Sequence, residues 1–142
     1  MGKSWKANIQ EIRSKLLSLK IEPILSLSNH LPFPLNYTLH DKSSFIVACG
    51  VVPAVHTAQL HSCTNEKEMY SFRVSLWGFD YSQPIVITPM REGIQRIQLR
   101  KREETVDLIT LEVIYRESSI TVRAPYQIIN KTPFTLYVMK EI

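Results

Sequence analysis

Two cysteines, Cys49 and Cys63, are all that the 142 residues carry. They are too few for a disulfide framework and lack metal-ligand spacing. Glycine is scarce too, with four residues. That excludes collagen-like and glycine-rich low-complexity chains and leaves no phosphate-cradling loop. Long apolar runs are missing: Ile85-Val86-Ile87 typifies the longest, far short of the roughly 20 residues that span a bilayer. No charged-then-apolar leader opens the chain, so a cytoplasmic setting is expected. The net charge of +4 is mild and spread out, which points away from nucleic acid. What is present is an apolar share of 44%, too high for a disordered chain. The length suits one domain with room for part of a second.

Catalytic patterns are also lacking. His30, His40, His56 and His61 form no HExxH pair, and no serine sits in a GxSxG elbow. His56, His61 and Cys63 could meet across a strand, but ordinary strand-surface positions explain them better. Carboxylates mostly stand beside bases, as in Asp41-Lys42 and Glu66-Lys67-Glu68, the composition of solvated turns. No enzyme, no metal and no cofactor is expected.

Residues 1–22 differ from the rest. Trp5, Ile9, Ile12, Leu16 and Leu19 recur at helical spacing, with Lys3, Lys6, Arg13, Lys15 and Lys20 mainly between them. The spacing predicts a short basic amphipathic helix, or a lead-in strand or linker, ended by Glu22-Pro23. Its apolar face is expected to pack on the following domain. The alternative is a helix lying on a membrane surface through Trp5 and Lys6.

From Pro23 onward the period becomes two. Tyr70, Phe72, Val74 and Leu76 alternate with Ser71, Arg73 and Ser75, the pattern of a half-buried strand. Ile97 and Leu99 alternate likewise between Arg96, Gln98 and Arg100. The run 106–115 is long and apolar on both sides, which predicts a central strand. Residues 120–124 follow after a turn near Glu117-Ser118-Ser119. Further strands are expected at 24–29, 34–40, 44–48, 57–62, 84–88 and 134–139, broken by turn chemistry at 41–43, Gly50, 62–65 and 91–93. Short strands without crossover helices argue for an all-β, antiparallel β-sandwich-like unit. Arg96, Arg100, Lys101 and Arg102 form the tightest basic cluster, followed directly by Glu103 and Glu104. A solvated strand end is expected there, with an anionic-lipid contact as the alternative.

One stretch returns. Asn29-His30-Leu31-Pro32-Phe33-Pro34-Leu35 reappears as Asn130-Lys131-Thr132-Pro133-Phe134-Thr135-Leu136, 101 residues later. Apolar strand residues lead into both copies. Residues 23–129 thus read as one complete β repeat unit, and 130–142 as the start of a second. An asparagine at a strand end, ahead of a proline, can bond its amide to nearby backbone where one sheet hands over to the next. Asn29 and Asn130 are therefore expected to be buried, corner-fixing amides, and the same corner could frame a peptide groove.

Three stretches, NHLPFPLNY (29–37), LWGFDYSQPIVI (76–87) and ITVRAPYQIINKT (120–132), together resemble the adaptor-binding repeats, also called the SHR-binding region, of the vacuolar protein sorting thirteen family of bridge-like lipid transfer proteins. The resemblance covers most of residues 23–139, though its specific letters make up only a third of that span. It implies a β-rich repeat that captures proline-containing (Pro-x-Pro) adaptor peptides. Such capture targets a lipid-transfer protein to organelle membranes and contact sites, including the vacuole. The family asparagine falls on Asn29 and Asn130, and the proline and aromatic positions fall on Pro32, Phe33, Pro133 and Phe134. Tyr81 stands where tryptophan is usual. The family carries several such repeats in a row, so adjacent repeats of a longer parent are implied partners. The long lipid-conducting groove of the family has no counterpart here.

The leading expectation is thus a non-catalytic docking module, peripheral to organelle membranes, that binds extended peptides by edge-strand addition with pockets for proline. The alternatives are a peripheral anionic-lipid-binding β domain and a purely structural spacer.

Overall fold

The computed structural model of the chain describes residues 23–63, 68–103 and 108–139. The helix expected over 1–22, with Trp5 and Lys6, lies outside them. Nine strands follow in order: β1 (Leu25–Asn29), β2 (Leu35–His40), β3 (Ile46–Val52), β4 (Thr57–Leu60), β5 (Tyr70–Ser75), β6 (Ile85–Ile87), β7 (Gly93–Arg100), β8 (Leu108–Arg116) and β9 (Ser119–Arg123). They form a five-stranded sheet, β4-β1-β9-β8-β7, and a four-stranded sheet, β3-β2-β5-β6. The described residues are all-β, as expected.

Alternation decides which side chains meet. Leu25 and Leu27 of β1, Leu35 and Leu39 of β2, Phe72 and Val74 of β5, Leu99 of β7, Val113 of β8, and Ile120 and Val122 of β9 are fully buried in one apolar core. Each such side chain contributes about 1.5–3 kcal/mol through removal from water. That burial sets the register, because a one-residue slip would turn every leucine outward.

Several local expectations hold. The run expected to be central becomes β8, flanked by β9 and β7. Asp41 makes its turn by accepting the N–H groups of Ser43 (2.8 Å) and Phe45 (3.0 Å) on Oδ1. The β8–β9 hairpin turns on Glu117 and Ser118, both at positive φ (48° and 65°). Ser119 Oγ braces it by donating to the Arg116 carbonyl at 2.8 Å.

Four expectations are corrected. The pairing is not wholly antiparallel: β1 runs parallel to β9, with Leu27 beside Ile120 and Asn29 beside Val122. The whole unit serves as their connection, so no short crossover helix is needed. Gly50 does not break a strand but lies inside β3, opposite Tyr37. The tyrosine ring covers the backbone there, with Cε1 3.5 Å from where a Cβ would stand, and pairing to β2 carries the strand through. Gly93, placed in a turn by its sequence, begins β7 opposite Tyr115. Residues 134–139 form no strand, since a period-two segment becomes a strand only when another strand supplies hydrogen-bond partners.

Strand directions place five connections at one end of the sandwich: the β1–β2 corner (30–34), the β3–β4 turn (53–56), the β5–β6 loop (76–84), the β7–β8 turn and the segment after β9. The Asn29 corner and the basic residues Arg100, Lys101 and Arg102 sit at that end.

Candidate functional site

Asn29 closes β1 and is 0% exposed. Its Oδ1 accepts the Leu31 N–H at 3.0 Å, and its Nδ2 donates to the Phe33 carbonyl at 2.7 Å. These two bonds fold residues 29–33 into a corner. The same amide reaches the carbonyls of Val52 and Pro53, both at 3.1 Å, and so fastens the corner to the β3–β4 turn. Two N–H bonds thus serve three acceptors, one of them shared. Backbone pairing completes the junction: the Asn29 N–H donates to the His56 carbonyl (2.8 Å) and the His30 N–H to that of Val122 (2.9 Å). Side-chain and backbone groups left open at the sheet end are satisfied in this way.

Asn130 reproduces the local half. Its Nδ2 donates to the Phe134 carbonyl at 2.6 Å and its Oδ1 accepts the Thr132 N–H at 2.9 Å. Thr132 Oγ1 adds a bond to Oδ1 at 2.7 Å. The expectation of a buried amide is corrected here: Asn130 is exposed, because no second turn closes over it among the described residues. Pro133 and Phe134 stand exposed beside it, the latter 74%. In the first copy Pro32 and Phe33 are likewise exposed, while Leu31 is buried beneath them.

A cleft of about 510 Å³ opens against the Asn29 corner, lined by His30, Leu31, Pro32, Val55, Arg123, Ala124, Tyr126, Gln127 and Ile128. Each wall has a reason. The corner presents Pro32 because Asn29 locks the backbone below it. Val55 is turned toward solvent by a left-handed backbone, φ 58°, an uncommon conformation for a β-branched residue. Arg123 is anchored from behind by Glu112, Nη2 to Oε1 at 3.2 Å, and the carboxylate side chain is only 10% exposed. The cleft thus combines one cation, Arg123, with the apolar side chains of Leu31, Pro32, Val55 and Ile128 and the exposed ring of Tyr126.

A second groove, of about 400 Å³, runs between β3 and β4, the edge strands of the two sheets among the described residues, lined by Ile46, Ala48, Cys49, Gln59 and His61. Tyr37 forms its floor, and burial pushes the phenol above its ordinary value, with Cys49 and Cys63 adding to the rise. Cys63 is buried and its thiol is pushed up to about 11, mainly by desolvation and then by Glu68. Cys63 is therefore no reactive thiolate.

Of the basic cluster, Arg100, Lys101 and Arg102 lie at a solvated strand end, whereas Arg96 stands mid-strand opposite Glu112. Arg96 and Arg100 lie exposed on β7, and Lys101 and Arg102 follow in the turn. Sequence reasoning singled out neither Val55 nor Arg123. A positive φ at valine leaves no sequence signature, whereas Arg123 and Tyr126 lie within the quoted 120–132 stretch. No cluster of three or more His, Cys, Asp or Glu side chains suited to a metal exists among the described residues. Nor is any helix there long and apolar enough to cross a membrane.

The family model for "Vacuolar-sorting associated protein 13, adaptor binding domain" matches residues 6–142, nearly the whole chain. No curated protein sequence matches.

Proposed function

The chain belongs to the vacuolar-sorting associated protein 13 adaptor binding domain family, and from that premise we propose that it is a non-catalytic module whose Asn29-corner cleft holds proline-containing adaptor peptides. The carrying observation is the buried Asn29 amide, which fastens a corner bearing exposed Pro32 and Phe33 to the turn that presents Val55. A preformed corner costs a ligand little ordering. A proline enters the apolar cleft against Pro32 and Tyr126, and a carbonyl of the peptide meets Arg123. The rest of the peptide runs extended along the outer edge of β3, where main-chain pairing adds affinity and Val51 and Ile46 offer apolar contact. Docking of this kind would bring a lipid-transfer protein to organelle contact sites, peripherally and from the cytoplasmic side. The 130–136 copy is the first corner of an adjacent repeat, awaiting the turn that would bury Asn130.

Titration of labelled Pro-x-Pro peptides, with proline-to-alanine controls, tests the reading. Proline-dependent binding that is lost on Tyr126→Ala, in a chain that keeps its unfolding midpoint, is the expected result. Binding indifferent to the prolines would overturn it. Asn29→Ser separates the roles of the corner: a folded chain that no longer binds ties the amide to docking, and an unfolded one makes it purely structural.

A further inference from the structure

Among the described residues, the lining of the Asn29-corner cleft holds one arginine, Arg123, and no carboxylate. The charge that balances Arg123 lies outside the cleft: its Nη2 meets Glu112 Oε1 at 3.2 Å. That carboxylate is shared. Arg96 of β7 and Arg123 of β9 are the register partners of Glu112 on either side, and directly opposed residues project from the same face of a sheet. One carboxylate therefore stands between two guanidinium groups. The rows next to it, Ile94–Ile114–Thr121 and Gln98–Thr110, are uncharged. The other described carboxylates are engaged or remote. Asp80 pairs with Arg102, and Glu92 and Glu117 pair with Arg116. Asp41 and Glu68 adjoin the opposite end of the sandwich. Glu103 belongs to the β7–β8 connection, at the edge of the sheet away from β1, as do Glu104 and Asp107 outside the described residues.

The pair is lopsided. The Glu112 side chain is 10% exposed and that of Arg123 is 48% exposed. The carboxylate is covered while the guanidinium, held from behind, still faces the cleft. A guanidinium carries several N–H donors in a planar fork, and Glu112 takes a single contact through Nη2. The remaining donors suit an acceptor that also brings negative charge, because Glu112 divides its own between Arg96 and Arg123. We propose that Arg123 receives a carboxylate side chain of the docked peptide, so that the cleft selects proline-containing peptides with an aspartate or glutamate beside the proline. This preference rests on the peptide reading of the cleft and adds to it the charge of the ligand.

The full chain is titrated with two fluorescein-labelled peptides that share a Pro-Ala-Pro centre, one flanked on both sides by Asp and the other by Asn. A third peptide replaces both prolines of the Asp form with alanine. The Asp peptide is expected to bind about tenfold more tightly than the Asn peptide. Arg123→Gln is expected to abolish that ratio by weakening the Asp peptide alone. Arg73→Gln makes the same charge change at an exposed position on β5 of the other sheet and should leave the ratio intact. If Arg123→Gln strands Glu112 and lowers the unfolding midpoint, the Arg123→Gln, Glu112→Gln double variant removes the stranded charge and gives the same comparison. Proline-dependent binding with equal affinity for the Asp and Asn peptides overturns the charge preference and leaves the peptide reading standing. A preference that survives the loss of Arg123, or falls equally with Arg73→Gln, also overturns it, since net charge would then be its source. Binding of none of the peptides overturns the peptide reading and the preference together.

Discussion

Asn29 and Asn130 make the same two local hydrogen bonds, one to the carbonyl four residues on and one from the N–H two residues on. They differ in what lies over them. Asn29 also holds the carbonyls of Val52 and Pro53 and is buried, whereas Asn130 is exposed. The corner is therefore a self-contained local structure, and its burial is a separate, long-range event.

That difference predicts unequal costs. Asn29→Ala strands the buried Val52 carbonyl and the buried Leu31 N–H and should destabilise the fold by about 2–3 kcal/mol. Asn130→Ala, at a solvated corner, should cost less than about 1 kcal/mol. Urea unfolding of the two variants, at unchanged slope, reads the comparison. Equal costs would mean that the 52–53 contact contributes nothing.

Glu117 and Ser118 turn the β8–β9 hairpin with both φ angles positive, yet neither is a residue that favours that region. Replacing the pair with Asn-Gly suits the two-residue turn. Stability should rise by about 1 kcal/mol, measured as a higher thermal midpoint. A fall would show that the hydrogen bond from Ser119 depends on the native turn residues.

Val55 is strained at φ 58° beside the cleft, and Val55→Asn should relieve about 1 kcal/mol of that strain. If the valine side chain contributes an apolar wall for the ligand, the same variant binds Pro-x-Pro peptide less well. Calorimetric unfolding and peptide titration on one sample separate the two effects. Improved stability with unchanged peptide affinity would remove Val55 from the ligand site.

Cys49 is exposed and Cys63 buried, so a thiol reagent at neutral pH should label one cysteine quickly and the second only on unfolding. The Cys63 thiol, raised to about 11 from an ordinary 9.0, has a sign that follows from proton counting. Below pH 9 folded and unfolded forms are both neutral at this site. Between about 9 and 11 only the unfolded form releases its proton, so stability falls as pH rises through that window. Cys63→Ala should flatten that part of the pH profile.

Much of the fold was legible because alternation is a local property. Tyr70, Phe72 and Val74 mark their own inward face, and so do Ile97 and Leu99, whichever strand lies beside them. The Asn29 corner was legible for the same reason, since its two defining bonds close within five residues. Gly50 was misread because its role depends on Tyr37 in the neighbouring strand. Residues 134–139 were misread because apolar alternation marks a capable strand, not a paired one.

Sequence by itself determined the inward faces of the alternating strands β5 and β7, the turn at Asp41, the repeated asparagine corner and the family resemblance. Tertiary structure alone decided that β1 lies parallel to β9, that Val52 and Pro53 close over Asn29 with no such turn over Asn130 among the described residues, and that Phe79 bridges to Lys101. The physical reason is range. Side-chain alternation and Asx-type hydrogen bonds act within a few residues. Which strand edge or turn arrives from afar is settled only when the two sheets close on a common core.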